Sequence, residues 1–465
     1  MNIKQLDIRD NVAVVLEDGA TVPKGHKMAL VDIKKGDFVY KYGAIIGRAT
    51  VDIHKGDFVH SHNLSSHLDE EESYEYLPEF TPLTVTEGTF LGYKREGRRA
   101  GIRNEIYIIP TVGCVNAVAD ALAKEAQALK KGSIDGIYSL THPFGCSQLG
   151  EDGENITKFL CAIAKNPNAT YCLIVGLGCE NNTMANMKKC LEGEDAHIRY
   201  LVCQEVEDEH AVGMAILKEF IEKASALTRE SVPMSELAIG LKCGGSDAFS
   251  GIVANPLVGS LSDRFLSLGA SAILTEVPEM FGAEKELMKR CIDGEIFEKY
   301  RKMIVDFKAY YIENGFPVYE NPSPGNKAGG ITTLEEKSLG CIRKGGTAPV
   351  VDVLAYAEQI KKVGLSVLDA PGNDLVASTA LGASGCQLVL FTTGRGTPFS
   401  TFVPTVKIAS NAHLSSFKSN WIDFDATPMD TDAFFTYILA VIEGREVLHS
   451  EFNREIAFYK KGVTL

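Results

Sequence analysis

The chain has 465 residues, more than a single hydrophobic core usually organises, so two or three domains are expected. Hydrophobic residues make up 45% of it and charged residues 23%, a composition that argues against a disordered chain. The net charge of -14 argues against nucleic acid as a partner, because phosphate binding needs a basic surface.

The sequence also bears on location. No segment has the roughly 18 consecutive apolar residues that a membrane helix needs, and the polar start does not resemble a signal peptide. We therefore expect a cytoplasmic protein with no membrane partner. The eleven cysteines would be mostly reduced there, and their odd number excludes complete pairing. The thiols are then core residues, metal ligands, or both.

The first sixty-odd residues contain an internal repeat. Residues 32–39 return as residues 52–59, differing only where His54 replaces Lys34. Each copy places a Lys-Gly turn before alternating apolar positions, which is typical of hairpins. We predict a small all-β module over residues 1–65, followed by an acidic, proline-containing linker over residues 66–87.

Strand and helix patterns alternate from residue 88 onward. The predicted strands cover residues 105–110, 136–140, 170–177 and 198–203. The predicted helices cover residues 115–129, 154–164, 182–191 and 207–224. Such alternation indicates an α/β domain with a largely parallel sheet over residues 88–230.

A second α/β domain is predicted over residues 231–465. Its predicted strands are residues 237–241, 272–275, 366–369 and 388–392. Residues 319–347 are rich in Gly, Pro and Asn and show no periodicity, which predicts a long loop. A loop of that length inside a compact domain is usually functional.

Three cysteines share one local setting. Cys114, Cys146 and Cys179 each follow a glycine at the carboxyl end of a predicted strand. In a parallel sheet such ends meet at one edge, so one metal ion or cluster could bind all three thiols. The alternative is three half-buried thiols without a function, since cysteine is often only a core residue.

Several polar residues suit an anionic, polyhydroxylated ligand. The Gly-Cys turns offer backbone N–H groups at helix N-termini, which favour a carboxylate. Nearby stand Arg103, Asn104, His142 and Gln148. Farther along, glycine turns that bring the backbone close to a ligand carry Asp247, Asn326, Lys327 and Arg395.

The β module carries histidines in two places. His26 and Lys27 follow a glycine, and His60 and His62 close the repeat. Residues at i and i+2 on a strand face the same side, so His60 and His62 could bind a metal ion. Such a pair alone is more often not a site.

These stretches resemble the altronate and galactarate dehydratase family over nearly the whole chain. The resemblance lies in residues 25–27, 41–43, 60–63, 110–116, 145–150, 176–182, 243–247, 274–284 and 320–340. It implies an N-terminal SAF-like (β-clip) domain, two α/β domains and an Fe2+-dependent hydro-lyase acting on a small-molecule sugar acid. Residues 60–63 and 145–150 are more similar to the altronate branch than to the galactarate branch.

The implied reaction converts D-altronate into 2-dehydro-3-deoxy-D-gluconate by removing the C2 proton and the C3 hydroxyl. It needs a base and an acid, for which we predict His26, Lys27 and Lys327. The predicted substrate contacts are Arg103, Asn104, His142, Gln148, Asp247, Asn326 and Arg395.

The predicted iron ligands are Cys114, Cys146 and Cys179, holding a mononuclear ion or an iron–sulfur cluster, with His60 and His62 as the alternative. Two other functions stay open: dehydration of another sugar acid such as galactarate, and a non-catalytic sugar-acid sensor. A homo-oligomer is possible.

Overall fold

The computed structural model describes residues 2–68, 73–194, 196–451 and 454–462. Strands β1 to β21 are Ile3–Lys4, Val12–Val15, Lys27–Ala29, Phe38–Lys41, Ala44–Ala49, Phe58–Val59, Leu64–Ser65, Thr89–Arg95, Arg98–Gly101, Glu105–Pro110, Gly136–Ser139, Ala169–Gly176, Ile198–Val202, Glu230–Pro233, Ala238–Cys243, Ser271–Leu274, Val350–Leu354, Leu365–Leu368, Leu388–Thr393, Thr405–Ala409 and Phe424–Asp425. Helices α1 to α12 are Asn116–Ala128, Glu151–Ala164, Met184–Cys190, Glu209–Ser225, Asn255–Ser267, Glu284–Met288, Gly294–Glu313, Pro324–Ala328, Leu334–Cys341, Asp374–Ala383, Ala412–Phe417 and Thr431–Ile442.

The N-terminal module is built from two small antiparallel sheets, ordered β1-β2-β3-β6 and β4-β5-β7. Its two repeats contact each other reciprocally. The backbone N–H of Lys35 donates to Asp52 at 2.9 Å, and that of Lys55 donates to Asp32 at 2.8 Å. The first Asp of each repeat thus holds the turn of the other, which explains the repeat and confirms the strand-rich module.

The predicted linker has no helix or strand over residues 73–87, but it lies against the C-terminal part of the chain. The Tyr74 hydroxyl donates to Glu284 at 2.7 Å, and the Tyr76 hydroxyl donates to the Cys291 carbonyl at 3.0 Å. This segment is therefore held in place rather than free. The acidic residues 69–72 lie outside the described residues.

The middle part contains the predicted parallel sheet, ordered β11-β10-β12-β13. Alternate residues of β10 face opposite layers: Ile106 and Ile108 pack with α1 and α4. Tyr107 and Ile109 pack with α2 and with residues of the C-terminal part. A small antiparallel sheet, ordered β14-β8-β9, was not predicted.

The C-terminal part contains a seven-stranded parallel sheet, ordered β17-β18-β16-β15-β19-β20-β21. The predicted strands correspond to β15, β16, β18 and β19, so the α/β fold class is confirmed. Neighbouring strands β15 and β19 end side by side, with Cys243 paired to Thr392. Among the described helices, none is long and apolar enough to span a membrane.

The prediction of one long loop over residues 319–347 is wrong. This segment contains α8, α9 and a short 3-10 helix, Ile342–Gly345. All eight residues of α9 are buried. No face of α9 is exposed, and its charged residues are paired inside the protein, so its sequence lacks the alternation of an apolar and a solvent-facing side by which helices are predicted.

Candidate active site

The β module docks onto the segment that contains α8 and α9. Lys27 of β3 is fully buried, and its Nζ donates to the Gly330 carbonyl at 3.0 Å and to Thr332 Oγ1 at 2.7 Å. It also pairs with one oxygen of Glu336 at 2.8 Å, while Lys41 pairs with the other at 2.7 Å. A single carboxylate of α9 therefore binds two ammonium groups of the β module.

The three charges shift each other's pKa. Burial alone would raise the pKa of Glu336, but Lys27 and Lys41 lower it to about 2. Burial lowers the pKa of Lys27 to about 8, against the opposing effect of Glu336. The pKa of Lys41 is raised, because Glu336 outweighs the effect of burial. Lys27 is therefore the more readily deprotonated of the two lysines.

His26 lies next to this ion-paired group. Its ring is half-buried, with its centroid 5.3 Å from that of His60. Burial and the nearby cation of Lys27 lower the pKa of His26 below its ordinary value, so the imidazole is neutral at pH 7. Its Nδ1 is buried and has no hydrogen-bond partner among the described residues. A neutral imidazole of this kind can accept a proton.

Three other predicted residues meet at α8. Asn326 is buried and donates to the Ser246 carbonyl at 2.7 Å. Arg395, which follows β19, donates to the Gly325 carbonyl at 2.8 Å. The side chain of Lys327 is exposed, and its carbonyl lies 2.9 Å from His60 Nε2. The structure thus places His26, Asn326, Lys327 and Arg395 around α8, where the β module meets the C-terminal part, and we call this region the cleft beneath the β module.

Asp247 belongs to the same cleft. Its carboxylate accepts from Ser410 Oγ at 2.7 Å and from Asn411 Nδ2 at 3.1 Å. A cavity of about 10 Å3 has room for about one water. It is lined by residues of the β module and the C-terminal part, among them Tyr42, Asp247, Glu336, Lys337 and Cys341.

The placement of Arg103 and Asn104 does not agree with their predicted contact with substrate. Both are buried at the amino end of β10, whereas Cys114 follows its carboxyl end. A strand of six residues spans about 20 Å. Arg103 is ion-paired with Glu451, and Asn104 Nδ2 donates to the Ala224 carbonyl at 2.9 Å. These side chains join parts of the fold.

His142 and Gln148 support the Gly-Cys turns. His142 is buried, with Nε2 2.8 Å from the Pro110 carbonyl, and burial lowers its pKa to about 4. The side-chain oxygen of Gln148, Oε1, accepts from the backbone N–H of Gly145 at 2.8 Å. Gln148 also lines a cavity of about 640 Å3 beside α2 and α3, a space large enough for a small ligand.

The three Gly-Cys turns lie together, as expected for one edge of the sheet. The N–H of Gly113 donates to the Phe144 carbonyl and that of Asn182 to the Gly145 carbonyl, both at 2.9 Å. Their thiols are exposed. The Sγ atoms of Cys114, Cys146 and Cys179 do not all lie within 4.8 Å of one another, however. The structure therefore brings the turns together without grouping the sulfur atoms at ligand distances.

The alternative ligands His60 and His62 do not lie on a strand. Residues 60–63 form a turn after β6, so the expectation that both rings share one strand face is wrong. Both rings nevertheless pack against Phe58, with centroid distances of 5.5 and 5.4 Å.

A group that the sequence did not reveal lies at the end of β15. The Sγ atoms of Cys243 and Cys341 are 3.3 Å apart, and Glu279 Oε2 is 3.3 and 3.1 Å from them. All three residues are buried. Cys243 and Glu279 lie in polar segments of the sequence. Cys341 is 98 residues from Cys243, and nothing in the sequence around it indicates that the two thiols meet.

Family models match three successive parts of the chain. The SAF domain of altronate/galactarate dehydratases matches residues 4–67. The second domain of D-galactarate dehydratase/altronate hydrolase matches residues 92–225, and the C-terminal domain of D-galactarate/altronate dehydratases matches residues 234–464.

Curated relatives match almost end to end. Altronate dehydratase of Bacillus subtilis (strain 168) is 49% identical over 97% of this chain and 94% of its own length. Altronate dehydratase of Escherichia coli (strain K12) is 44% identical over 98% of both chains. Galactarate dehydratase (L-threo-forming) of the same strain is 31% identical over 95% of this chain and 93% of its own. This chain belongs to the altronate and galactarate dehydratase family.

Proposed function

We propose that this chain is a hydro-lyase that converts D-altronate into 2-dehydro-3-deoxy-D-gluconate and water. We choose D-altronate as the substrate because the chain is 49% and 44% identical to two altronate dehydratases but 31% identical to galactarate dehydratase. The cleft beneath the β module supports the reaction type, because it combines proton-accepting and cationic side chains.

The first chemical requirement is a base for the C2 proton. This proton is only weakly acidic, and it is activated by the neighbouring carboxylate of the substrate. We assign the base to His26, whose lowered pKa keeps it neutral at pH 7 and whose Nδ1 has no partner among the described residues. The buried ammonium of Lys27, held by Glu336, offers positive charge beside the developing anion.

The second requirement is an acid for the departing C3 hydroxyl. Lys327 is the proposed donor, since its side chain is exposed and its backbone lies against His60. Arg395 and Asp247 are the proposed contacts for the substrate carboxylate and hydroxyls, respectively. Arg395 is exposed and fixed by the Gly325 carbonyl, which orients its guanidinium.

We further propose Fe2+ as the cofactor, held by the exposed thiols of Cys114, Cys146 and Cys179. Thiolates suit iron, and the three turns are joined by backbone hydrogen bonds. Their side chains must rotate to bring the sulfurs to ligand distances, and His60 with His62 stays the alternative. When bound, iron would supply a Lewis acid to the reaction. A single ion and an iron–sulfur cluster both agree with this ligand set.

An anaerobic assay tests the reaction. The protein, reduced and supplied with Fe2+, is incubated with D-altronate, galactarate and several other aldonates, and products are identified by mass spectrometry. We expect loss of water from D-altronate at the highest kcat/KM, and chelator-treated protein is the control. A higher kcat/KM for galactarate would contradict D-altronate as the substrate. Binding of D-altronate without any product would contradict the enzymatic function and support a non-catalytic sensor.

The thiol ligands are tested separately by Cys146→Ser, with Cys190→Ser, a partly buried thiol that ends α3, as the control. Cys146→Ser should lose bound iron, measured by elemental analysis, while its circular dichroism spectrum stays unchanged. Full iron content and activity in Cys146→Ser would remove the exposed cysteines from the iron site and leave the reaction itself untouched.

A further inference from the structure

Cys243, Cys341 and Glu279 form a compact group in the C-terminal part of the protein. Cys243 ends β15, Cys341 ends α9, and Glu279 follows β16. The two sulfurs and Glu279 Oε2 form a triangle with sides of 3.3, 3.3 and 3.1 Å. It is the sole group of His, Cys, Asp and Glu ligand atoms within 4.8 Å of one another among the described residues.

We propose that Cys243, Cys341 and Glu279 bind a thiophilic divalent cation of the Fe2+ or Zn2+ class. This centre is distinct from the exposed edge of Cys114, Cys146 and Cys179, and it does not depend on the reaction proposed above.

The spacing of the three ligand atoms suits such an ion. With metal–sulfur bonds of about 2.3 Å, a tetrahedral ion holds two thiolates about 3.8 Å apart and a thiolate and a carboxylate oxygen about 3.5 Å apart. The observed sides of 3.1 to 3.3 Å need to widen by only a few tenths of an ångström. Side-chain torsions can supply that change without moving the strand or the helix.

The surrounding charges also balance. Lys242, Lys337 and Lys344 are buried, and they pair with Glu276, Glu279 and Asp374. Three ammonium groups and three carboxylates cancel while both thiols keep their protons. A divalent cation that replaces two thiol protons leaves this sum unchanged, so it adds no uncompensated buried charge.

Lys337 also orients the Glu279 carboxylate. Its Nζ pairs with Oε1 at 2.8 Å, so the other oxygen, Oε2, is left to face the two thiols. Glu279 Oε2 is contacted by thiols, which are weak hydrogen-bond donors, so a cation would be the stronger partner.

Three protein ligands leave a fourth position. Cys341 lines the cavity of about 10 Å3 together with Lys337, Glu336 and Asp247. That space holds about one water, and closed structural sites use four protein ligands instead. The fourth ligand is therefore expected to be a water that faces the cleft beneath the β module.

Cobalt binding tests the proposal in a background that lacks the exposed thiols. The triple variant Cys114→Ser/Cys146→Ser/Cys179→Ser is reduced, freed of metal with a chelator and titrated anaerobically with Co2+. We expect about one Co2+ per chain, with near-ultraviolet thiolate-to-cobalt absorption. Adding Cys243→Ser or Cys341→Ser should abolish that absorption. Adding Cys291→Ser, which removes another buried thiol of the same region, should leave it unchanged.

A second variant guards against a failure to fold. Glu279→Gln keeps both thiols, so thiolate absorption should persist while the Kd for Co2+ rises by about tenfold or more. Absence of thiolate absorption from the folded triple variant would overturn the proposal. So would absorption that survives Cys243→Ser, or an unchanged Kd in Glu279→Gln.

Discussion

The edge of the middle sheet and the cleft beneath the β module are assembled in different ways. Each Gly-Cys turn of the edge is made by one short segment, and its thiol is exposed. The cleft joins residues far apart in the sequence: Lys27 and Glu336 are separated by 309 positions. The edge is therefore visible as a local motif, whereas the cleft exists only in the folded chain.

The two regions also differ in electrostatics. In the cleft, buried charges lower the pKa of Glu336 to about 2 and that of Lys27 to about 8. Displaced pKa values of this kind are typical of catalytic sites, although structural ion pairs show them as well. We propose proton transfer in the cleft and iron binding at the edge, and substitutions can separate the two.

Replacing His26 should have the largest effect. His26→Asn removes the proposed base, so kcat should fall by about 10²- to 10⁴-fold while KM for D-altronate stays within a few fold. Steady-state kinetics under anaerobic conditions measure both parameters. His54→Asn is the matched control, since His54 is an exposed histidine of the same module. Near-normal kcat in His26→Asn would remove His26 as the base.

Replacing Glu336 should loosen the docking of the β module. Glu336→Gln leaves Lys27 and Lys41 buried without their carboxylate, which costs about 3 to 5 kcal/mol. Hydrogen exchange should show faster exchange in β3 and β4, and the melting temperature should fall. Glu298→Gln, on the exposed face of α7, is the control. Equal protection of β3 in both variants would contradict the role of the ion pairs.

His142 at the edge and Glu336 in the cleft should lose their contributions to stability in different pH ranges. Burial lowers the pKa of His142 from 6.5 to about 4, so the unfolded chain binds the proton more tightly. Its contribution, about 3 kcal/mol, is complete above pH 6.5 and is lost as the pH falls toward 4. The pKa of Glu336 is lowered from 4.5 to about 2. Its contribution to the free energy of unfolding is therefore lost only as the pH falls from about 4.5 to about 2.

The contribution of His142 to stability can be measured from melting temperatures between pH 7 and 4.5. His142→Gln should flatten the pH dependence in that range. Part of the dependence should remain, because the pKa of buried His197 is lowered to about 3 and burial also lowers the pKa values of His26 and His60. His210→Gln, an exposed histidine of the same domain, should retain the full dependence. A dependence as steep in His142→Gln as in the unaltered protein would contradict the assignment.

Local patterns predicted much of the fold. The repeat of residues 32–39 and the alternation of strands and helices gave the β module and the parallel sheet of the middle part. Helix α9 and strands β17 and β20 were missed, because α9 is buried on every side and short apolar runs do not distinguish strand from buried helix.

The candidate site was predictable only in part. Asn326, Lys327 and Arg395 were singled out by their glycine turns, and the structure brings them together. Arg103 was misplaced because a residue that precedes a strand lies at the opposite edge from one that follows it. Pairings such as Cys243 with Cys341 depend on how distant elements pack, and nothing in the local sequence specifies them.

The claim that a side chain of the cleft removes the C2 proton is tested most directly with D-altronate deuterated at C2. After anaerobic turnover with Fe2+ in ordinary water, the 2-dehydro-3-deoxy product is analysed by mass spectrometry. Proton abstraction by a side chain predicts that solvent hydrogen replaces at least part of the deuterium, because the abstracted deuteron exchanges with water before C3 is protonated. A product that retains all of the deuterium, or no dehydration of D-altronate at all, would contradict it.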